Sequence, residues 1–547
     1  MKEGSVADQE VLSQAMRRLA RGSLLVMVAL MFTHVFTFAR RLIIVRSLST
    51  HDYGLYSLGM TVLLMLSMVA LFGLSNGCQR FVAYYRGRKD LEGARGAFLT
   101  SAILVSLTTL VVTAGLLALT GQIESLLKKP GLAWVLVMVA LSLPLMTAIT
   151  MVTALFQGFE NVAPKVFFSE IGVGITTTLG VGIAAKLGAG LRGVMIAYVL
   201  GHLAIVLVAL SFAAARFPQP LKGVRPRWDV GELLSFSAPV AIAAIAGTLL
   251  SNSDTLVIGF YKTAHDVGVY NAAVPVYRML AVFIYAVGFI YDPVAARLIG
   301  QEKHGELRTL YPNVTKWSTV LTLPACFLCL FYPKELLGLL FGTRYVDAAA
   351  ALQVLTLALL ANLLPGQGGK TLLAYGRSRL YMLGVLLSAA LNVALNFLLI
   401  PGLGITGAAA AAVVSVLFIN AFNSIAVYKL YRIHPLTRQY LVPLACGAAG
   451  CCAIYYPLKL ALGLSYWLLL AYFFIFMAIT VGAVLLTRGV DDSDRALYGA
   501  LKNKVLSMAR RGDNQGGGTE GPGGEGPSDA EIEGGVPGER DEDGMPL

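Results

Sequence analysis

The sequence predicts an all-α integral membrane protein of about fourteen transmembrane helices, built as two parallel-repeat six-helix lobes followed by two C-terminal helices. Three observations carry this expectation. Of the 547 residues, 56% are hydrophobic and 14% charged, with a mean hydropathy of +0.71, whereas an ordinary soluble domain carries about 25% charged residues. Runs of about 20 apolar residues recur from Leu24 to Leu486, each long enough to cross a hydrocarbon core of about 30 Å. A short pattern near His51 returns 214 residues later.

Apolar runs read against charged, Pro and Gly breaks place helices at 22–46, 54–78, 97–120, 131–156, 166–188, 192–214, 236–261, 267–291, 314–338, 349–373, 380–400, 404–427, 439–461 and 465–487. The first run has no small-residue cleavage site and precedes many further spans, so it reads as a retained helix. The chain then divides into a cytoplasmic segment 1–21, an N-lobe 22–214, a linker 215–235, a C-lobe 236–427 and two last helices within 439–487. Residues 488–511 suit a cytoplasmic amphipathic segment, with Leu497, Leu501, Val505 and Met508 on one face. Residues 512–547 are acidic and rich in Gly and Pro, a composition that cannot offset its ordering entropy and predicts disorder.

Lys and Arg separate by side, about 29 on one and about 8 on the other, which puts both termini in the cytoplasm and the chain in the cell membrane. The heaviest clusters are Arg17, Arg18 and Arg21, then Arg80, Arg86, Arg88, Lys89 and Arg95, then Lys222, Arg225 and Arg227. The net charge of +12 therefore follows membrane topology; no basic patch interleaved with stacking aromatics points to nucleic acid. The six cysteines sit mostly inside apolar runs and read as packing residues.

The repeat reads His51-Asp52-Tyr53-Gly54-Leu55-Tyr56 and His265-Asp266-Val267-Gly268-Val269-Tyr270, each copy in the turn between a first and a second helix. RKDLEG from Arg88 and KHGELR from Lys303 occupy equivalent basic loops. Six intervening spans give both copies the same orientation, the parallel kind of transporter repeat.

Ionisable side chains within membrane helices are costly, which singles out Arg40, Asp254 and Arg278. Arg40 lies about ten residues from the first turn, roughly 16 Å deep at 1.5 Å per residue. Asp254 is its equivalent at the offset of 214, so one lobe carries a cation where the other carries an anion. Thr33, Thr37 and Arg40 share a helical face, as do Gly247, Ser251 and Asp254. Arg278 lies nearly level with Asp254 on the next helix, so the two read either as a structural ion pair or as an electrostatic or coupling pair. Leu64 occupies the position matching Arg278 in the first lobe. Arg40 either snorkels towards water or binds an anion, and a phosphate suits its planar fork. Arg41 is 100° away around the helix and ranks behind it. Arg80 and Lys370 form a candidate second basic station, with snorkelling the alternative for Lys370.

Pro144, Pro239, Pro275, Pro324 and Pro365 interrupt apolar runs, and Asn362 to Gly368 forms a polar, bendable stretch. Glu170, Asn392, Asn396, Asn420 and Asn423 either line a cavity or bond between helices. No phosphate-binding Gly-Lys-Ser/Thr loop, metal-spaced His pair or GxSxG elbow occurs, and no outer loop exceeds roughly 15 residues, so neither an enzyme nor a bound cofactor is expected.

The segments FTHVFTFARRLIIVRSLSTHDYGLYSL from Phe32, GLSNGCQRFVAYYRGRKD from Gly73 and SNSDTLVIGFYKTAHDVGVYNAAVPVYRML from Ser251 resemble the polysaccharide transporter (Wzx-type) family of lipid-linked oligosaccharide flippases. That family lies within the multidrug/oligosaccharidyl-lipid/polysaccharide superfamily, and the resemblance covers roughly 15–487. It implies a V-shaped bundle of two lobes opening alternately inward and outward. It also implies a cationic cavity for a sugar-diphosphate headgroup whose polyprenyl tail stays in lipid. The string ending at Arg40 is similar to the first-helix Arg of lipid II flippases, which supports a headgroup role there. The long acidic tail departs from the family pattern. The expected activity is translocation of a polyprenyl-diphosphate-linked oligosaccharide by a monomer, with H+ or Na+ as coupling ion. The alternatives are a multidrug and toxin extrusion antiporter and, in another class, a membrane glycan-assembly enzyme or scaffold.

Overall fold

The computed structural model describes residues 32–33, 35–217, 221–462 and 468–487; the expected segments 1–21, 488–511 and 512–547 lie outside them. Every regular element among the described residues is helical. The first half comprises α1 (35–47), α2 (Thr50–Leu71), α3 (Leu74–Gly87), α4 (Leu91–Leu127), α5 (Leu132–Gly158), a π-helical turn (Lys165–Gly172) leading into α6 (Val173–Lys186), and α7 (Gly190–Ala215). The second comprises α8 (Val230–Tyr261), α9 (Ala264–Leu280), α10 (Val282–Gly300), α11 (His304–Phe331), α12 (Pro333–Phe341), a 3-10 turn (Thr343–Ala348), α13 (Ala349–Leu363), α14 (Gly368–Ala374) and α15 (Ser378–Tyr431). Helices α16 (Arg438–Leu462) and α17 (Leu468–Leu486) follow.

Twelve helical stretches are long and apolar enough to cross a membrane. One of them, α15, contains Gly404 at φ 61° and ψ −137° and so covers two of the fourteen runs. The first run, 22–46, is described only from residue 32 onward. Fourteen remains the sequence expectation; the described residues hold twelve such helices.

The backbone repeats at the offset seen in the sequence. Lys128 and Gly342, and likewise Gly190 and Gly404, are 214 residues apart and all four adopt positive φ. Glycine relieves the steric cost of that conformation at three of the four turns. The Asp of the His-Asp motif has a local cause. Ser49 caps α2 by accepting from the Asp52 amide at 3.0 Å, and Thr263 with Asp266 forms a capping box at the matching start of α9. The motif glycines have a tertiary one. A β-carbon on Gly54 would lie 1.7 Å from the Ala264 carbonyl oxygen, and one on Gly268 2.0 Å from that of Thr50. Since Thr50 and Ala264 are themselves equivalent, α2 and α9 cross in a reciprocal, isologous contact that only small residues permit.

At this His51 end the halves share one apolar core, containing Ile44, Tyr53 and Leu58 together with Tyr270, Leu337 and Tyr345. Cations bind helix-end carbonyls across the same seam. Arg46 donates to Leu339 and Leu340 at 2.6 and 2.8 Å, Arg344 to Leu48 at 3.2 Å, and Lys129 to Lys262 at 2.6 Å. At the opposite, Arg88 end the core splits. One cluster gathers Phe81, Val82, Tyr85 and Leu155 with Leu233 of α8, and a separate one gathers Tyr291, Leu307, Tyr311 and Leu372. The halves thus share one core at the His51 end and contribute mainly to separate cores at the Arg88 end.

The linker is clipped rather than loose. Arg227 pairs with Asp90 at 2.7 Å, its amide donates to the Glu92 carbonyl at 3.0 Å, and Tyr85 donates to Glu232 at 2.9 Å. Helices α16 and α17 dock on α11 through an aromatic cluster, with Phe331 on Tyr455 at 4.3 Å and Tyr332 on Tyr472 at 4.8 Å. Cys78, Cys326, Cys329 and Cys451 are buried and free, in keeping with packing roles, while Cys446 and Cys452 are exposed.

Candidate functional site

The α8–α9 hairpin turns at Lys262 and Thr263. Eight residues to either side of Lys262 stand Asp254 and Tyr270, so the residue level with Asp254 is Tyr270, not Arg278. The Tyr270 hydroxyl donates to Asp254 Oδ2, and the Thr255 amide donates to Oδ1 at 2.8 Å. Arg278 lies two turns deeper and folds back, its Nη2 donating to the Ser251 carbonyl at 2.9 Å and to Asn252 Oδ1 at 3.1 Å. The expected direct ion pair is not formed: Asp254 stays within Coulombic reach of Arg278 without contacting it. With the turn at Lys262 and Thr263, Asp254 and Arg278 differ in depth by about two helical turns and are not level.

Arg278 is solvent-accessible, Ser251 is also exposed, and a β-carbon on Gly247 would meet open space, so this face of α8 is not covered by protein.

On α1 the two adjacent arginines have different surroundings. Arg40 turns into its own half: Nη1 donates to Thr177 Oγ1 at 2.5 Å, and the guanidinium lies 5.7 Å from the Tyr198 ring centroid. Tyr198 in turn contacts the ring of buried His202 at 4.4 Å. Arg41 lies within electrostatic reach of Tyr53 in its own half and of Arg278 in the other.

Towards the Arg88 end, Arg80 is exposed and stacked 4.2 Å from the Phe236 ring. Lys370 is tied to Asp292 at 3.1 Å, which lowers the net charge of the expected second station. The helix break before Lys370 is present, with Gly366 at φ 68° and the Pro365 carbonyl accepting from Tyr311 at 2.6 Å. The polar amides bond between helices: Ser253 to Asn392 at 2.7 Å, Asn396 to Ser253 at 3.2 Å, and Asn420 to Asn362 at 2.9 Å. Glu170 accepts from Thr33 at 3.0 Å, out of the π-helical turn.

Sequence reasoning overlooked Asp292, one residue beyond the placed end of its helix, and Lys316, which is 1% exposed and borders a small cavity with Thr319, Tyr440 and Thr480. Both were detectable as charges adjoining or within apolar runs. Tyr198 and His202 gave no such signal, because aromatic and neutral polar groups are common in membrane helices.

With this geometry in view, the family model described as polysaccharide biosynthesis protein matches residues 19–288, and the MatE model matches residues 239–398. A probable low-salt glycan biosynthesis flippase of Haloferax volcanii is 26% identical over 220 residues, 40% of this chain and 46% of the relative. The chain thus spans about half the length of that relative. The stage V sporulation protein B of Bacillus subtilis is 22% identical over 456 residues, 78% of this chain and 86% of the relative. Among solved structures, the lipid II flippase MurJ in an inward closed conformation superposes with a TM-score of 0.68 at 13% identity, covering 85% of this chain and 97% of that one. An inward-facing multidrug resistance MATE transporter gives 0.56 at 15% identity, covering 73% and 94%. The two superpositions show that the chain shares the all-helical fold of these structures.

Proposed function

We propose that this chain is a member of the multidrug/oligosaccharidyl-lipid/polysaccharide superfamily of membrane transporters, a reading supported by the family-model matches and the relatives, and infer its activity from that membership. It is a flippase that carries a polyprenyl-diphosphate-linked oligosaccharide, chemically unchanged, across the cytoplasmic membrane by alternating access of two lobes. The Arg88 end and both termini face the cytoplasm, following the excess of Lys and Arg on that side. The protein acts as a monomer coupled to a proton or sodium gradient.

One observation carries this reading: Arg278 is exposed and bonded to the neutral oxygens of Ser251 and Asn252, with Arg41 of the other half within electrostatic reach and no contacting carboxylate among the described residues, which fits two cations lining a cleft between the lobes. Two like charges in a low-dielectric cleft repel, and an anion bridging them relieves both. A diphosphate has the charge and the acceptor oxygens for two guanidinium forks. The headgroup is thereby held off the hydrocarbon, where its passage would be costly, while the polyprenyl chain stays in lipid. Arg80, exposed at the cleft mouth, is a first contact, and Arg40 supports α1 from behind.

The MatE match favours a cation antiporter as the second reading, but a cleft presenting Arg41 and Arg278 repels cationic substrates. Proteoliposomes containing the full chain and only a lipid-linked oligosaccharide decide the matter. The expected result is unchanged substrate in the opposite leaflet, with Arg41→Ala and Arg278→Ala each slowing transfer at least about tenfold, the loss of roughly one charge-assisted contact. A new glycosidic bond, or wild-type transfer by both variants, would sink the proposal.

A further inference from the structure

We propose that Tyr270 is a positioning residue that keeps Arg278 available to an anion by holding Asp254 away from it. The inference rests on the reading of Arg278 as a headgroup ligand. An acid and a base on adjacent membrane helices would ordinarily close into a contact pair, since each relieves the other's desolvation. Here they do not. Asp254 spends one carboxylate oxygen on the Tyr270 hydroxyl and the other on the Thr255 amide, and Arg278 donates only to the neutral oxygens of Ser251 and Asn252.

The alternative arrangement is near. Ser251 and Asp254 are three residues apart on α8 and so neighbours on one face. A guanidinium bonded to the Ser251 carbonyl therefore sits about one helical turn from the carboxylate. Tyr270 is fully buried, so no solvent replaces its hydroxyl if that group is removed. Asp254 Oδ2 would then lack a donor, and the nearest cationic one is Arg278. A charge-assisted contact is roughly twice as strong as a neutral one, so the side chains close on each other and Arg278 loses its vacant donors. In this account the Tyr of the second repeat copy acts as a spacer between an acid and a base. Its counterpart Tyr56 has no such duty, because the residue matching Asp254 is Arg40.

The test uses the full chain in phosphatidylcholine nanodiscs, with radiolabelled farnesyl diphosphate as the probe and farnesol as the tail-only control. Tyr270→Phe is expected to weaken diphosphate binding about tenfold, while Asp254→Asn binds a few-fold tighter than wild type. The double variant Tyr270→Phe/Asp254→Asn should return to within about twofold of Asp254→Asn, a rescue that a merely structural tyrosine would not permit. Asp254→Glu, which keeps Tyr270 but extends the carboxylate by one methylene towards Arg278, should weaken binding too, so the idea stays open to refutation where Tyr270→Phe does not fold. Wild-type affinity in both Tyr270→Phe and Asp254→Glu, with Arg278→Ala impaired, overturns the spacer role and leaves the ligand reading intact. A double variant no better than Tyr270→Phe also overturns it. Undiminished binding by Arg278→Ala removes the ligand reading and the spacer role with it.

Discussion

Arg40 in the first half and Asp254 in the second stand at equivalent positions on equivalent helices, yet each is held in a different way. Arg40 leans back onto α6 and α7, through Thr177 and Tyr198. Asp254 leans forward onto α9, through Tyr270. The repeat has preserved backbone features, including the capped helix starts, the positive-φ turns and the reciprocal glycines. It has not preserved side-chain chemistry. Parallel duplication supplies a frame with two similar walls, a binding cleft requires walls that differ, and Arg40 opposite Asp254 in the repeat is one such difference.

The most severe way to break the comparison is at the feature the halves share most closely. Gly54→Val and Gly268→Val should each destabilise the protein by about 3 kcal/mol or more, because the added atoms meet backbone that cannot yield. Thermal melting in detergent should show similar losses for the two; a large loss in only one would show that the crossing is not reciprocal in energy. Next in size is the functional asymmetry. In the flipping assay Arg278→Ala should lose at least about tenfold and Arg40→Lys no more than about threefold, since a guanidinium contact is lost in the first and a cation near Thr177 is retained in the second. Equal losses would give Arg40 a direct part in binding as well.

Smaller effects should separate the internal supports. Ser253→Ala takes one hydrogen bond from each of Asn392 and Asn396, which keep only the bond between themselves, and should cost about 1–2 kcal/mol, whereas Thr177→Ala should cost about 1 kcal/mol; melting of the two variants compares the halves directly. The smallest effect concerns the linker clip between them. The Gly93 amide, together with Arg227 against the opposing effect of burial, holds the Asp90 carboxyl below its ordinary range. Because the folded value is depressed, the clip's contribution is complete above the unfolded value of about 3.9 and is lost as pH falls through the folded one. Limited proteolysis near Arg225 should therefore be slow at neutral pH and should accelerate only in strong acid. Asp90→Asn should raise the neutral-pH rate and flatten that dependence.

Much of this was legible along the chain. Hydropathy marked the helices, and the pair of His-Asp-x-Gly-x-Tyr motifs marked the repeat. Even the level partner of Asp254 was within reach, since Thr263 and Asp266 form a capping signal that locates the turn and so the register. The facing of Arg40 and Arg41 was not. Adjacent residues on a helix point about 100° apart, and which of them meets the cleft depends on how α1 is rotated by what it packs against. Sequence position likewise could not show that Lys370 would be neutralised by Asp292, 78 residues away.

By itself the sequence determined the solvent of this protein, the approximate number and order of its helices and the existence of two similar halves, because transfer free energy and backbone hydrogen bonding are local along the chain. Tertiary structure alone decided at which end the halves share one core, that Arg40 turns to Thr177 and Tyr198, and that Asp254 bonds Tyr270 while Arg278 bonds Ser251 and Asn252. Those outcomes depend on helix rotation and on contacts between segments as much as two hundred residues apart, which close packing settles and linear spacing does not.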